Sequence, residues 1–270
     1  MSTICAKELY VGLKNEVKKI TLENWENQVN KSRNKKAVWI IHFYKDNDGH
    51  SAGFEAEYIK EAEKLNGIIK FAHVDCNNQP MVCDKQGVQK FPTFKIYPPV
   101  PIPAIEYQGE LSAKAMTNQA TQYVQSVVQE ITDDSIEGFS TSNPAVPKVY
   151  LFTDKKTGVP LMWKAMSLAF ENKMALSIVR SDQKDVVQKF NIKKFPTILL
   201  TKASDRKPFI YDGDLKYIDI FEWCNIYSEQ FVFGGGSSAE GSGAAPWLNE
   251  AVPELFNKSA KDVCLGVYFF

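Results

Sequence analysis

Residues 38–51 read VWIIHFYKDNDGHS, and this stretch decides the fold. Val38 to Tyr44 form a continuous run of β-branched, aromatic and other bulky side chains, which predicts a strand buried on both faces. A polar loop follows, and from Phe54 to Leu65 the apolar residues recur at helical spacing. A buried strand that leads through a short loop into an amphipathic helix is typical of α/β proteins.

The chain continues this alternation as far as Ile131. Three further strands and a final helix are predicted, at 68–74, 94–97, 104–107 and 112–131. Helices between short buried strands predict an α/β unit with a central mixed sheet flanked by helices.

An internal repeat shows that this unit occurs twice. Lys90-Phe91-Pro92-Thr93 recurs as Lys194-Phe195-Pro196-Thr197, and apolar strand sequence follows both copies. The second unit repeats the order of elements: strands at 148–152 and 176–179, helices at 161–170, 185–190 and 217–230, and a hairpin of 198–201 with 208–211. Two copies at a domain-sized interval predict tandem domains.

Composition and the repeat together predict six segments. They are an N-terminal extension (1–16), a first domain (17–132), a linker (133–145), a second domain (146–233), a flexible Gly/Ser linker (234–245) and the start of a third unit or docked arm (246–270).

Charge and hydropathy exclude some classes of partner. The chain has 32 Lys plus Arg and 32 Asp plus Glu, so its charge gives no indication of binding to nucleic acid or an anionic membrane. No apolar run approaches the ~20 residues of a membrane span. Neither a signal peptide nor a retention tetrapeptide is visible, and we expect the native chain to continue past Phe270.

The first unit resembles a thioredoxin-like domain of the protein disulfide isomerase family over about residues 17–130. The resemblance is carried, in order and at family spacing, by Trp39 to Tyr44, Gly49-His50, Glu57-Tyr58, Val74-Asp75-Cys76, Gly87-Val88 and Phe91-Pro92-Thr93. The second unit resembles the family's non-catalytic modules over about 146–232. The resemblance implies an α/β chain of two tandem thioredoxin-like domains plus a partial third segment. It also implies cis peptide bonds before Pro92 and Pro196, although a proline that only ends a loop is the simpler alternative.

The same resemblance implies that the redox chemistry is absent. Where the family has Cys-Gly-His-Cys after the strand, this chain has Asp48-Gly49-His50-Ser51. Disulfide exchange needs a thiolate nucleophile and a second, resolving thiol, and a carboxylate and a hydroxyl supply neither. Three further departures agree, since His42 replaces a buried Glu, Asp46-Asn47 replace Pro-Trp, and Leu111 replaces an Arg.

The histidines and cysteines leave alternatives open. His42, His50 and Asp48 form an acid–base cluster in one interpretation; in the other, which we prefer, His42 is a packed strand residue and His50 is partly exposed. By family resemblance, Cys76 and Cys83 form a structural disulfide in an oxidising compartment. Two buried free thiols are the alternative.

We therefore expect a redox-inactive protein that binds an unfolded client or a fixed protein partner non-covalently, as a chaperone or scaffold. The expected contacts surround the degenerate site and the predicted cis-proline: Tyr44, Asn47, Asp48, His50, Phe91, Pro92 and Thr93. No cofactor or metal is expected. The endoplasmic reticulum is the expected compartment, and an organellar or cytosolic assembly subunit is the alternative.

Two other functions remain open. In the first, the chain is a protein disulfide isomerase whose active cysteines lie beyond Phe270. In the second, the loop from Asp46 to Glu55 binds calcium, because Asp46-x-Asp48-Gly49 followed by Glu55 fits part of an EF-hand loop. Against calcium, Tyr44 would occupy the first ligand position, and the preceding segment is predicted to be a strand.

Overall fold

The structure is a computed structural model that describes residues 9–10, 16–45 and 49–228. These residues contain two mixed five-stranded sheets flanked by helices, as the sequence predicts. Within the described ranges, no helix combines the length and the apolar character that crossing a membrane would require.

The first sheet has the strand order β1-β3-β2-β4-β5. Its strands are β1 (Val17–Lys19), β2 (Trp39–Tyr44), β3 (Lys70–Asp75), β4 (Thr93–Tyr97) and β5 (Ile105–Glu106). Neighbours of β3 run parallel to it, whereas β4 runs antiparallel to both β2 and β5. All six residues of β2 are buried, because this strand is central and is covered on both faces.

Four helices flank this sheet, and a π-helical segment, Glu26–Asn30, precedes the first of them. They are α1 (Lys31–Asn34), α2 (Gly49–Lys64), α3 (Pro80–Lys85) and α4 (Ala113–Thr121). α2 places Phe54, Tyr58 and Ala62 in the core, as their spacing predicts, and Gly67 follows its end with a φ of 81°.

The prediction of one helix over 112–131 is wrong in its second half. α4 ends at Thr121, and β6 (Gln129–Ile131) is a strand of the second sheet. β6 runs parallel to β8 (Ala175–Arg180), and Ile131 is buried in the second unit's core. This pairing is non-local, so tertiary contact decides the conformation here rather than helical spacing.

The second sheet has the strand order β10-β9-β7-β8-β6. Its remaining strands are β7 (Lys148–Thr153), β9 (Thr197–Thr201) and β10 (Phe209–Ile210). Its helices are α5 (Ile136–Thr141), α6 (Leu161–Ala169), α7 (Lys184–Lys189) and α8 (Tyr217–Tyr227). The second unit therefore repeats the order of strands and helices that the Phe-Pro-Thr repeat predicts.

The positions of β6 and α5 place the boundary between the two units earlier in the chain than the sequence predicts. β6 falls inside the range predicted for the first domain, and α5, whose Phe139 packs in the second core, falls inside the predicted 133–145 linker. We propose the division within 122–128. Both predicted segments after residue 233 lie outside the described residues.

The two units touch each other through side chains that no sequence pattern marked. Leu161 of α6 packs against the first unit's core. Lys36 and Glu171 form an ion pair at 2.6 Å. The Tyr217 ring lies against Gly67, where an added Cβ would be 2.1 Å from the tyrosine Cε1. The contact therefore requires the smallest side chain at residue 67.

Because of the Gly67 contact, alanine should destabilise the protein more at residue 67 than at residue 87. Gly67 and Gly87 both have positive φ, but a Cβ at Gly87 would have no neighbour within 4 Å. Gly87→Ala should lower the free energy of unfolding by about 1–2 kcal/mol from backbone strain alone. Gly67→Ala should cost at least about 3 kcal/mol, because the alanine also displaces the Tyr217 ring.

Urea denaturation followed by tryptophan fluorescence measures both losses. Tyr217→Leu provides the control background, in which Gly67→Ala should cost no more than Gly87→Ala. Equal losses for the two glycine variants in the unsubstituted chain would contradict the inter-unit contact.

Candidate functional site

The candidate site lies where β2 leads into α2. Three predicted residues of this loop, Asp46, Asn47 and Asp48, lie outside the described residues. His50 lies in the first turn of α2, and its side chain is also outside the description. The described part of the site therefore consists of buried residues of β2 and α2 and of residues around Pro92.

His42 occupies the centre of this site and has no exposed surface. On the sheet it pairs with His73 on one side and Phe94 on the other. Its ring stacks on Phe94 with 4.3 Å between centroids and an angle of 10°. Burial, together with the smaller effect of the nearby His73, lowers the pKa of His42 to about 3. The imidazole is therefore neutral at physiological pH.

Both ring nitrogens of His42 have hydroxyl partners. Nδ1 lies 2.7 Å from the Tyr10 hydroxyl oxygen, and Nε2 lies 3.2 Å from Ser51 Oγ. A neutral imidazole has one donor and one acceptor nitrogen, so one hydroxyl donates to the ring and the other accepts from it. Tyr10, His42 and Ser51 thus form a continuous buried hydrogen-bonded chain, hereafter the Tyr10–His42–Ser51 chain.

Tyr10 is the site residue that sequence reasoning missed. Its side chain is buried among aromatic rings, with 4.7 Å between its centroid and that of His73. Its backbone N–H donates to the Glu55 carboxylate, which holds the segment against α2. Burial, the largest effect, raises the pKa of the Tyr10 hydroxyl, so this group stays protonated. The expectation that residues 1–16 form only an extension is therefore incomplete.

Two residues predicted to contact a partner do not have accessible side chains. Tyr44 is fully buried, because the last residue of a strand covered on both faces is as enclosed as the others. Thr93 is 3% exposed, and its hydroxyl donates to the Lys90 carbonyl at 2.6 Å. Neither side chain contributes to a binding surface.

Phe91 and Pro92 remain as the partly exposed described members of the predicted surface. The peptide bond between them is cis, as is that between Phe195 and Pro196. The Lys45 ammonium lies over the Phe91 ring, 4.8 Å from its centroid, in a cation–π contact. The accessible surface thus combines an aromatic face, a proline and a positive charge.

The proline-rich loop 98–103 lies elsewhere and is fastened to α1. Arg33 donates from Nε to the Pro98 carbonyl at 2.7 Å and from Nη2 to the Ile102 carbonyl at 2.6 Å. The loop also has a cis peptide bond before Pro101. The sequence of this loop, PPVPIP, predicts a stiff bulge that is either a partner surface or a rigid connection, and these bonds support the rigid connection.

The described cysteines do not offer a thiol to a substrate. Cys76 and Cys83 form a disulfide with an S–S distance of 1.99 Å, and both residues are buried. Cys224 is a buried free thiol, and burial raises its pKa to about 12. Cys5 and Cys264 lie outside the described residues.

The calcium interpretation is not supported by the elements around the loop. The strand β2 precedes it where an EF-hand has a helix, and the Glu55 carboxylate already accepts a bond from the Tyr10 N–H. Among the described residues, no group of three or more His, Cys, Asp or Glu side chains could hold a metal ion.

Comparison with known proteins agrees with this architecture. Residues 16–122 match the family model described as Thioredoxin. In the solved structure of ERdj5 (form II), the matching region has a TM-score of 0.63 at 17% identity, covering 80% of this chain and 30% of that one. A likeness of that kind shows the fold, so the chain is a thioredoxin-fold protein.

Its sequence relatives define the family. A Dictyostelium discoideum protein, provisionally named a protein disulfide-isomerase, is 30% identical over 218 residues, covering 78% of this chain and 52% of the relative. The protein disulfide-isomerase A6 homolog of Caenorhabditis elegans is 24% identical over 257 residues, covering 80% and 57%. The chain belongs to the protein disulfide isomerase family. It spans about half the length of these relatives.

The Tyr10–His42–Ser51 chain predicts that one hydroxyl contributes to stability. Tyr10→Phe keeps the ring and removes the partner of His42 Nδ1, which leaves a buried polar atom without a hydrogen bond. The free energy of unfolding should fall by about 1–3 kcal/mol. Tyr107→Phe, which removes an exposed hydroxyl bonded to the Glu110 carbonyl, is the control and should change it by no more than about 0.5 kcal/mol. A loss no larger than that of the control would contradict the bond.

Neutral, buried His42 also predicts a pH dependence of stability. Its pKa is about 3 in the folded state and about 6.5 in the unfolded chain, so the unfolded state binds the extra proton between these values. Stability should therefore be intact above pH ~6.5 and fall as the pH drops, by up to about 1.4 kcal/mol per pH unit from this group.

His42→Gln keeps a donor and an acceptor but cannot titrate. Urea unfolding measured between pH ~4.5 and ~7 should show a slope smaller by about that amount in the variant. Equal slopes in the two proteins would show that His42 is not buried in its neutral form.

Proposed function

We propose that the first unit binds polypeptide non-covalently and does not carry out thiol–disulfide exchange. The main support for this proposal is the Tyr10–His42–Ser51 chain. In it, Ser51 stands where the family resemblance places the resolving thiol, and His42 stands where it places the buried proton carrier. Exchange needs a thiolate that attacks a disulfide and can also act as a leaving group. The Ser51 hydroxyl does neither, and it is buried beside neutral His42.

The proposed binding surface lies outside this buried chain. Its described part consists of Phe91 and Pro92, which are partly exposed, together with Lys45. Asn47, Asp48 and His50 belong to it by the sequence prediction, and their side chains lie outside the described residues. An aromatic face with a lysine beside it suits an extended peptide, because it offers apolar area and recognises backbone carbonyls or acidic side chains. Unfolded clients and a fixed protein partner present the same chemistry.

A second candidate function follows from the relatives' names. Both are named as protein disulfide-isomerases, and this chain covers only about half of each. In that case exchange activity belongs to cysteines outside the two described units, and these units bind the substrate. Both candidate functions use the same surface for non-covalent polypeptide binding. They differ in whether the whole protein catalyses disulfide exchange.

We further propose an oxidising, secretory compartment, the endoplasmic reticulum. The buried Cys76–Cys83 disulfide supports this location, because such bonds persist in oxidising compartments and are rare in the cytosol. The relatives are named as disulfide isomerases, and such an activity belongs where disulfides form and persist. A subunit of an organellar or cytosolic assembly is the alternative.

The proposed surface predicts an affinity change in one of two matched variants. Phe91→Ala removes the aromatic face and should weaken binding of an unfolded polypeptide, reduced and carboxymethylated α-lactalbumin, by about tenfold. Phe195→Ala removes the equivalent ring of the second unit and should leave the affinity unchanged.

Fluorescence anisotropy of the labelled polypeptide measures both affinities, and circular dichroism checks that each variant is folded. Equal affinities for Phe91→Ala and the unsubstituted chain, with both folded, would refute the surface. A loss that appears only in Phe195→Ala would move the binding site to the second unit.

Redox inactivity is tested separately by reduction of insulin with dithiothreitol as the electron donor. The chain should not accelerate insulin precipitation over the uncatalysed rate. Acceleration that prior alkylation of the protein abolishes would contradict the proposal. The Asp48→Cys, Ser51→Cys double variant should remain at least about 100-fold slower than a Cys-Gly-His-Cys thioredoxin domain, because neutral His42 cannot replace a buried carboxylate as proton carrier.

A further inference from the structure

A second site lies in the second unit, at the end of the sheet where β7 begins and β9 ends. A cavity of about 250 Å³ opens there. Its walls combine apolar and polar groups, including Val146, Phe190, Lys148, Tyr150, Thr201 and Lys202. None of these residues belongs to the surface proposed above.

The sheet register brings the polar members together. Lys148 pairs with Thr201 across β7 and β9, and Tyr150 follows two residues later on the same face as Lys148. Lys202 also borders the cavity, but its ammonium lies over the Tyr227 ring, 5.6 Å from the ring centroid. The arrangement thus depends on two adjacent strands, which makes it rigid.

Tyr150 is the buried polar group that requires explanation. The residue has no exposed surface, and its hydroxyl has no hydrogen-bond partner of normal geometry among the described residues. Burial raises its pKa, and the nearby Thr201 hydroxyl has a smaller, opposite effect without reaching hydrogen-bond geometry. A buried hydroxyl without a partner costs free energy, so a ligand atom that accepts its proton would be favourable.

The charges around the cavity favour an anion. Lys148, 4% exposed, donates to the Asn143 carbonyl at 3.1 Å, which leaves two of its three ammonium protons for other acceptors. Lys189 is paired with the Glu137 carboxylate, the one acidic group bound to a cavity lysine among the described ion pairs. Residues 129–228 carry 14 Lys and Arg against 13 Asp and Glu, so the unit as a whole is nearly neutral. The attraction for an anion therefore comes from the Lys148 ammonium at the cavity itself.

We propose that this cavity binds a carboxylate carried on an apolar body, with Tyr150 and Lys148 at the carboxylate and Phe190 and Val146 against the apolar part. Such a group occurs at the C-terminus of a polypeptide that ends in an apolar residue, and in a small free carboxylic acid. This site goes beyond the proposed function and stands independently of it.

The test uses the full chain and three probes: benzoate, benzamide and the peptide acetyl-Gly-Gly-Phe with a free C-terminus. Backbone amide NMR shifts are followed during titration to about 20 mM probe. Saturable shifts confined to residues around the cavity are expected for benzoate or the peptide acid, and none for benzamide. If the peptide binds more tightly than benzoate, the polypeptide C-terminus is the ligand; the reverse order identifies a small acid.

Matched variants tie binding to the cavity. Tyr150→Phe and Lys148→Met should each weaken carboxylate binding about tenfold, the effect of losing one hydrogen bond to a charged group. Lys207→Met removes an exposed lysine that does not line the cavity, and should change nothing. Absence of saturable shifts, equal binding of benzamide, or affinities unchanged in both cavity variants would overturn the proposal.

Discussion

The imidazole of His42 lies inside the first sheet without exposed surface, and its two nitrogens must be hydrogen-bonded while the ring remains uncharged. A protonated ring there would be a buried cation beside a second histidine, which is why its pKa is depressed. The constraint is met by one hydroxyl from before the first strand and one from α2. The start of the chain, the sheet and the helix are thus joined through one side chain.

The same constraint supports the proposal that the first unit does not carry out thiol–disulfide exchange. A redox site of this fold keeps its thiols free to ionise and its proton carrier able to change charge. Here the helix position carries Ser51, and the sheet position carries a ring that stays neutral. The polar groups stabilise one another and are shielded from a client. What stays accessible is the neighbouring Phe91-Pro92 surface, which is suited to contact rather than reaction.

The sequence predicted the features that rest on local patterns. The buried run Trp39 to Tyr44 and the repeated Phe-Pro-Thr were sufficient for two tandem α/β units, and both sheets confirm this. The segment after Thr121 was predicted incorrectly, because no glycine or proline interrupts its helical spacing and its pairing partner, β8, lies about 50 residues away. Tyr10 could not be predicted, since it reaches His42 across 32 residues without any local periodicity. Tyr44 was predicted to contact a partner, but it is buried together with the rest of its strand.

Nitrogen-15 NMR of the His42 side chain tests the central claim most directly. From about pH 7 down to about pH 4, the two ring nitrogens should keep widely separated shifts, one protonated and one not, because the neutral tautomer is fixed by Tyr10 and Ser51. The urea-unfolded chain provides the comparison, because an unperturbed imidazole titrates near pH ~6.5. A His42 ring that takes up its second proton near pH 6.5 would contradict the account, since it would show a solvent-accessible imidazole still able to transfer protons.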